Sequence, residues 1–78
     1  MVTIEILGTG CPKCRQLAAA VEKAVTQAGI DANVEKITDI ERILAYNVIA
    51  TPALVVDGDV KLVGRVPSEK ELIRILTG

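Results

Sequence analysis

Gly8-Thr9-Gly10-Cys11-Pro12-Lys13-Cys14 is the stretch on which the fold turns. Before it, Val2-Thr3-Ile4-Glu5-Ile6-Leu7 is β-branched and alternating and ends on an apolar pair, the pattern of a strand, and the glycines then break it. After it the apolar period changes to about 3.6 residues. From Cys11 onward, Cys14, Leu17, Ala18, Val21, Ala24, Val25 and Ala28 share one face, while Lys13, Arg15, Gln16, Glu22, Lys23 and Gln27 lie elsewhere. Gly29 stands where such a helix needs its C′ residue. The stretch is therefore the joint between a first strand and an amphipathic helix. Pro12 at the first helical position gives up a donor the helix would not use and pre-sets φ, which makes Cys11 the N-cap.

That placement gives the two cysteines different chemistry. At the helix N-terminus, unpaired N–H groups and the macrodipole favour thiolate over thiol, and Lys13 and Arg15 add positive charge close by. Cys11 is the expected nucleophile. Cys14 lies one turn inside, three residues before Leu17 on the apolar stripe, so it faces the core beneath Cys11, placed to resolve a mixed disulfide. A bridge between residues this close in the chain closes almost no loop and would stabilise little, so the pair is expected to serve chemistry rather than stapling. Burial of a small apolar residue accounts for Cys14 but not for Cys11. A structural zinc site wants four N or S ligands, and a chain with two Cys and no His cannot complete one by itself.

Composition narrows the function classes further. Half of the 78 residues are apolar, which excludes disorder and predicts one small domain spanning residues 1–78. A chain this short buries only about 60–65% of its unfolded surface, so core quality matters. Nine Lys/Arg against ten Asp/Glu, spread along the chain, present no basic face for nucleic acid. Tyr46 is the single aromatic residue, too few for a base-stacking platform. No apolar run reaches the roughly 18 residues of a membrane span, and no basic region or cleavage site precedes Val2. The protein is expected to be soluble and cytoplasmic, without a membrane partner.

Beyond the first helix, Ile30, Ala32 and Val34 alternate with Asp31, Asn33 and Glu35, predicting a half-exposed strand at a sheet edge over Ile30–Val34. Thr38-Asp39-Ile40-Glu41 matches a capping box, with Ile40, Ile43 and Leu44 carrying a short helix to Tyr46. Ala53-Leu54-Val55-Val56 is a continuous apolar strand, and Asp57-Gly58 turns it into an antiparallel partner, Val60–Val63. After the loop Gly64–Pro67, Ser68-Glu69-Lys70-Glu71 forms a second capping box, and Leu72, Ile73, Ile75 and Leu76 stripe the last helix. The order βαβαββα predicts an α/β fold with a four-stranded mixed sheet and three helices. Because helices intervene between them, the first three strands are expected to be parallel.

With these residues in view, the chain resembles the thioredoxin-like superfamily over nearly its whole length, and in particular its very small archaeal and bacterial redox-active disulfide proteins of glutaredoxin size. Gly8 to Cys14 is similar to the family's active-site strand and helix, Tyr46-Asn47-Val48 and Thr51-Pro52-Ala53-Leu54-Val55-Val56 to its cis-proline segment, and Val63-Gly64 with Ser68–Leu76 to its closing stretch and final helix. The resemblance implies a minimal thioredoxin fold, disulfide exchange with Cys11 attacking and Cys14 resolving, and Pro52 in cis beside the pair. It also implies that the Thr51 backbone is offered to an incoming substrate strand. Pro52, lacking an N–H, would present no donor beside the sulfurs. Taken locally, a proline at the entry to an apolar strand needs no function.

The N-terminal strand and helix of full-length thioredoxin are absent, and no Trp precedes Cys11. The Pro-Lys dipeptide is closer to the Pro-Tyr of glutaredoxins than to thioredoxin's Gly-Pro, yet the Gly-Gly and Asp that help hold glutathione do not follow the fourth strand, which argues against glutathione use. Arg65 stands at roughly that place, either reaching an anionic substrate group or a thiolate, or standing as a solvated loop charge. Glu5 precedes Cys11 by six residues, the spacing at which thioredoxins place a buried acid that helps deprotonate the resolving thiol. A partly desolvated carboxylate there would be poised to take the Cys14 proton, whereas over a thinly covered face it would reach water and keep the strand soluble.

The expected activity is reduction of protein disulfides with no bound cofactor. Targets would be disulfide-containing proteins, with a flavoprotein reductase, a ferredoxin-linked enzyme or a low-molecular-weight thiol as electron donor. Potentials of such motifs span about −270 to −120 mV, and a cytosolic setting favours the reducing end. The rival is a metal-binding module of the copper-chaperone kind, which also places a CxxC between a first strand and helix. Its order is βαββαβ, with a Met-Thr pair before the first Cys, neither of which this sequence carries.

Overall fold

The alternating N-terminal residues form β1 (Val2–Leu7), and Pro12 opens α1 (Pro12–Ala28), which ends where Gly29 adopts a left-handed conformation. The computed structural model describes all 78 residues. After α1 come β2 (Ala32–Ile37), α2 (Ile40–Ala45), β3 (Ala53–Val56), β4 (Asp59–Val63) and α3 (Glu69–Thr77), the order βαβαββα. The four strands form one sheet in the order β2-β1-β3-β4. β1 is thus central, β2 is an edge strand as expected, and β2 runs a little later in the chain than Ile30–Val34.

One expectation about direction is overturned. β1 and β2 are parallel, with Val2 opposite Ala32 and Leu7 opposite Ile37, but β3 is antiparallel to β1, with Leu7 opposite Ala53. The crossover is not completed: the six residues of α2 rise only about 9 Å against the roughly 20 Å of a six-residue strand, and the chain after α2 does not run back along the sheet. β3 therefore starts at the end where β2 stopped, beside the joint between β1 and α1. The hairpin into β4 forms at Asp57 and Gly58, both at positive φ, as the dipeptide predicts.

The two faces of the sheet are covered unequally. Ile4 and Ile6 of β1, with Leu54, Val56 and Leu62, pack under Leu17, Ala18, Val21 and Ala24 of α1 and Leu72 and Leu76 of α3. On the other face Leu7, Ala53 and Val55 meet Ile37 and Ile43, with Tyr46, Val48 and Val63 at the margin. Since β3 supplies both faces, all four of its residues are buried, which explains its unbroken apolar run.

Two local expectations for α2 are corrected. Its N-cap is Asp39 rather than Thr38, the Asp39 side chain accepting from the Glu41 N–H, because the helix starts one residue later. Of its apolar stripe only Ile43 is buried, while Ile40 and Leu44 are exposed, since nothing packs on that side of so short a helix. Ser68 caps α3 as expected, accepting from the Glu71 N–H at 3.2 Å.

Leu54, wholly buried, and Leu44, 62% exposed, make a controlled pair. Leu54→Ala is expected to lower the unfolding free energy by about 2–5 kcal/mol. Leu44→Ala should stay within about 0.5 kcal/mol. Urea denaturation with unchanged slope measures both.

Candidate active site

The site begins as a helix cap. Cys11 has extended backbone angles, φ −65° and ψ 163°, so its carbonyl accepts the first helical bond from the Arg15 N–H at 3.0 Å. Its Sγ accepts from the Cys14 N–H at 3.2 Å, the position a Ser or Asp oxygen takes at an ordinary N-cap. The first turn contains no acidic residue to compete for that end of the helix, and Lys13 is exposed there. Arg15 folds back and donates to the Gly10 carbonyl at 2.7 Å, tying the loop to the helix.

Cys11 and Cys14 are joined by a disulfide, their Cα atoms 5.0 Å apart. They differ in exposure as their helical positions predict: Cys11 is half-buried and Cys14 is only 6% exposed. Cys14 packs on Gly8, the last buried residue before the loop, where a Cβ would lie 2.5 Å from the Cys14 Sγ and 3.0 Å from its Cβ. Gly8 is thus a glycine for space. Its N–H extends the ladder to β2 by donating to the Ile37 carbonyl at 3.0 Å.

Pro52 closes the other side. The Thr51–Pro52 peptide is cis, and the buried proline has its Cα 4.0 Å from the place a Gly8 Cβ would occupy. The Pro52 carbonyl accepts from the Gly64 N–H at 2.6 Å, so the segment before β3 and the loop after β4 are held together beside the cysteines.

A family model described as thioredoxin domain matches residues 2–77 of this sequence. A thioredoxin of Methanothermobacter thermautotrophicus is 44% identical over 77 residues, covering 99% of this chain and all of that protein. A thioredoxin of Methanocaldococcus jannaschii is 44% identical over 72 residues, covering 92% of this chain and 83% of that one. The chain belongs to the thioredoxin family. With the cysteine pair at the strand–helix joint, it is a thiol–disulfide oxidoreductase. Thioredoxins act on disulfide-containing targets and are recharged by a reductase.

The hydrogen bonds of Glu5 go to Tyr46 and Arg42, not to the cysteines. Alternation along β1 puts Glu5 with Leu7 on the α2 face, while Ile4 and Ile6 take the face under α1. Its side chain, 12% exposed, accepts a short hydrogen bond from the Tyr46 hydroxyl and one at 3.3 Å from Arg42, which also makes an ion pair with it. The hydrogen bond to Glu5, together with burial and the carboxylate's charge, raises the Tyr46 phenol above its ordinary value, with Arg42 opposing. Arg65 is likewise engaged, forking onto Glu71 at 2.9 and 2.5 Å. That contact holds the Glu71 carboxyl below its ordinary range.

The structure thus brings Cys11, Pro12, Lys13, Cys14, Thr51 and Pro52 to one end of the sheet, and turns Glu5 and Arg65 to carboxylate–cation contacts of their own. Two contributors went unnoticed in the sequence. Gly8 reads there only as a strand breaker. Tyr46 reads as a packing residue, although a half-buried phenol seeks a partner and Glu5 is the one charged residue of the apolar first strand.

Gly8→Ala is expected to destabilise the oxidised protein by about 1–3 kcal/mol, since the new methyl must displace Cys14 or the start of α1. Denaturant unfolding of the oxidised form checks it. For Tyr46 the raised folded value means that the native protein holds a proton the unfolded chain has lost above about pH 10. Its contribution is complete below that pH and is lost as pH rises through the folded value. The stability gap between wild type and Tyr46→Phe should therefore shrink above pH ~10, as unfolding midpoints across the alkaline range will show.

Proposed function

We propose that this protein reduces protein disulfides with Cys11 as the attacking sulfur and Cys14 as the resolving one, within a single domain spanning residues 1–78. The observation that supports these roles best is the cap itself: the accessible sulfur accepts the Cys14 N–H at the positive end of α1, and the other is buried against Gly8. In the reduced protein the same N–H and dipole stabilise a Cys11 thiolate, with Lys13 nearby.

The thiolate attacks one sulfur of a target disulfide, forming a Cys11–target bond as the target S–S bond breaks and a target thiolate leaves. Cys14, on losing its proton, attacks the Cys11 sulfur. This forms the internal disulfide, and the second target thiolate departs. Two electrons have passed to the target, and a flavoprotein or ferredoxin-linked reductase restores them.

Thr51 fits the docking role: it is half-buried and its backbone takes part in none of the turn or loop hydrogen bonds, leaving it free to pair with an extended substrate. Pro12 orders the helix start. Glu5, across the sheet and bonded to Tyr46, supports positioning of the α2 end rather than proton transfer.

Cys14→Ser is expected to accumulate mixed disulfides with a disulfide-bonded reporter protein, and Cys11→Ser to form none; equal trapping by both would reverse the roles. In the reduced wild type Cys11 should be alkylated before Cys14, as peptide mapping after a short pulse will report.

A further inference from the structure

A groove of about 240 Å³ opens on the β2 side of the disulfide. Cys14 lines it, whereas Cys11, Thr51 and Pro52 do not. Ala18 and Ala19 on α1, Gly8 and Gly10 of the strand–helix joint and Ile6 of β1 also line it, and four of these five carry little or no side chain to fill the space. Its size corresponds to about eight water molecules and falls below the roughly 300–1,000 Å³ of a drug-sized pocket, so it suits a small molecule rather than a polypeptide.

Its charges lean one way. Lys36 lies opposite Ile6 in the β1–β2 register, and alternation along β2 places it with Val34 on the α1 side. Arg15 stands at the α1 wall, and its one contact, to the Gly10 carbonyl, is to a neutral group. Neither cation joins an ion pair, the two in the chain being Arg42–Glu5 and Arg65–Glu71. The groove's one acid, Glu22, is about two turns further along α1 than Arg15. The groove that Cys14 lines therefore combines apolar walls with two cations that join no ion pair and a single acid.

We propose that this groove binds a small anionic thiol and delivers its sulfur to Cys14 of the oxidised protein, providing a source of electrons besides a reductase. The inference rests on thiol–disulfide exchange at the Cys11–Cys14 pair. The bound thiolate attacks the Cys14 Sγ. A bond forms between the two sulfurs, the Cys11–Cys14 bond breaks, and its electron pair leaves on Cys11, whose thiolate the Cys14 N–H and helix N-terminus stabilise as the better leaving group. A second thiolate attacks the sulfur of the bound molecule, giving a small-molecule disulfide and a Cys14 thiolate. The protons of the two thiols end on the two cysteines. In sum, two thiols become one disulfide, and the protein disulfide becomes a dithiol.

The test reduces the oxidised protein with mercaptopropionate, mercaptoethanol and cysteamine, dividing each rate by that of the same thiol with a small linear disulfide to remove intrinsic reactivity. The anionic thiol is expected to exceed the neutral one by about fivefold and the cationic one by more, and the preference should fall with added salt. Lys36→Glu and Arg15→Glu should each collapse the anionic-to-neutral ratio. Lys61→Glu, the same charge change on exposed β4, should leave that ratio in place. Rapid alkylation during turnover should find mercaptopropionate on Cys14 and the alkyl group on Cys11. A ratio near one in the wild type, an equal effect of Lys61→Glu, or mercaptopropionate mapped to Cys11 overturns the proposal. These outcomes are separable from the exchange chemistry itself, because protein reduced with dithiothreitol would still reduce the reporter if only the groove reading failed.

Discussion

The contact of Cys14 with Gly8 is the constraint from which the rest of the site follows. Gly8, with no side chain at the end of the central strand, leaves the space that Cys14 fills: a Cβ there would lie 2.5 Å from the Cys14 Sγ. Cys14 is then held under the sheet end while Cys11, one turn earlier, is lifted to the surface as the cap. The difference in exposure between the two cysteines comes from this one close approach combined with helical geometry.

The short second crossover serves the same end of the molecule. Because the chain between β2 and β3 does not return along the sheet, β3 starts beside the joint, and the Thr51–Pro52 peptide that precedes it is delivered to the same end as the cysteines. A crossover that returned along the sheet would have placed that peptide at the far end of β1. The Gly64 N–H then secures it through the Pro52 carbonyl. Three segments far apart in the chain thus meet at one sheet end, joined by the Gly64–Pro52 backbone hydrogen bond and by the space that Gly8 leaves for Cys14.

The polar cluster on the α2 face solves a separate problem. A carboxylate on a central strand loses hydration, and in a domain of this size an unpaired charge would consume much of a stability of roughly 5–15 kcal/mol. Glu5 is instead satisfied by the Tyr46 hydroxyl and the Arg42 guanidinium, both from the α2 end. The contact that satisfies Glu5 also pins the chain just before the segment leading to Pro52. Arg65 and Glu71 make a comparable but exposed pairing between the loop after β4 and the first turn of α3.

What the sequence determined by itself is whatever depends on neighbours within about one helical turn or one strand pleat. Cys11 as N-cap with Pro12 behind it, Ser68 as the cap of α3, the Asp57-Gly58 hairpin, the buried run of β3 and the element order are all of this kind, and so was the difference in exposure between the two cysteines. Helical period alone also suggested a buried stripe on α2, and misled there, because periodicity identifies a face but not whether anything covers it. The direction of β3, the pairing of Glu5 with a tyrosine 41 residues away, the capture of Arg65 by Glu71, the close approach of Cys14 to Gly8 and the cationic groove beside it were decided only in the tertiary structure. Each depends on which distant segments are packed together, a choice made by the burial of two sheet faces at once and written in no local pattern.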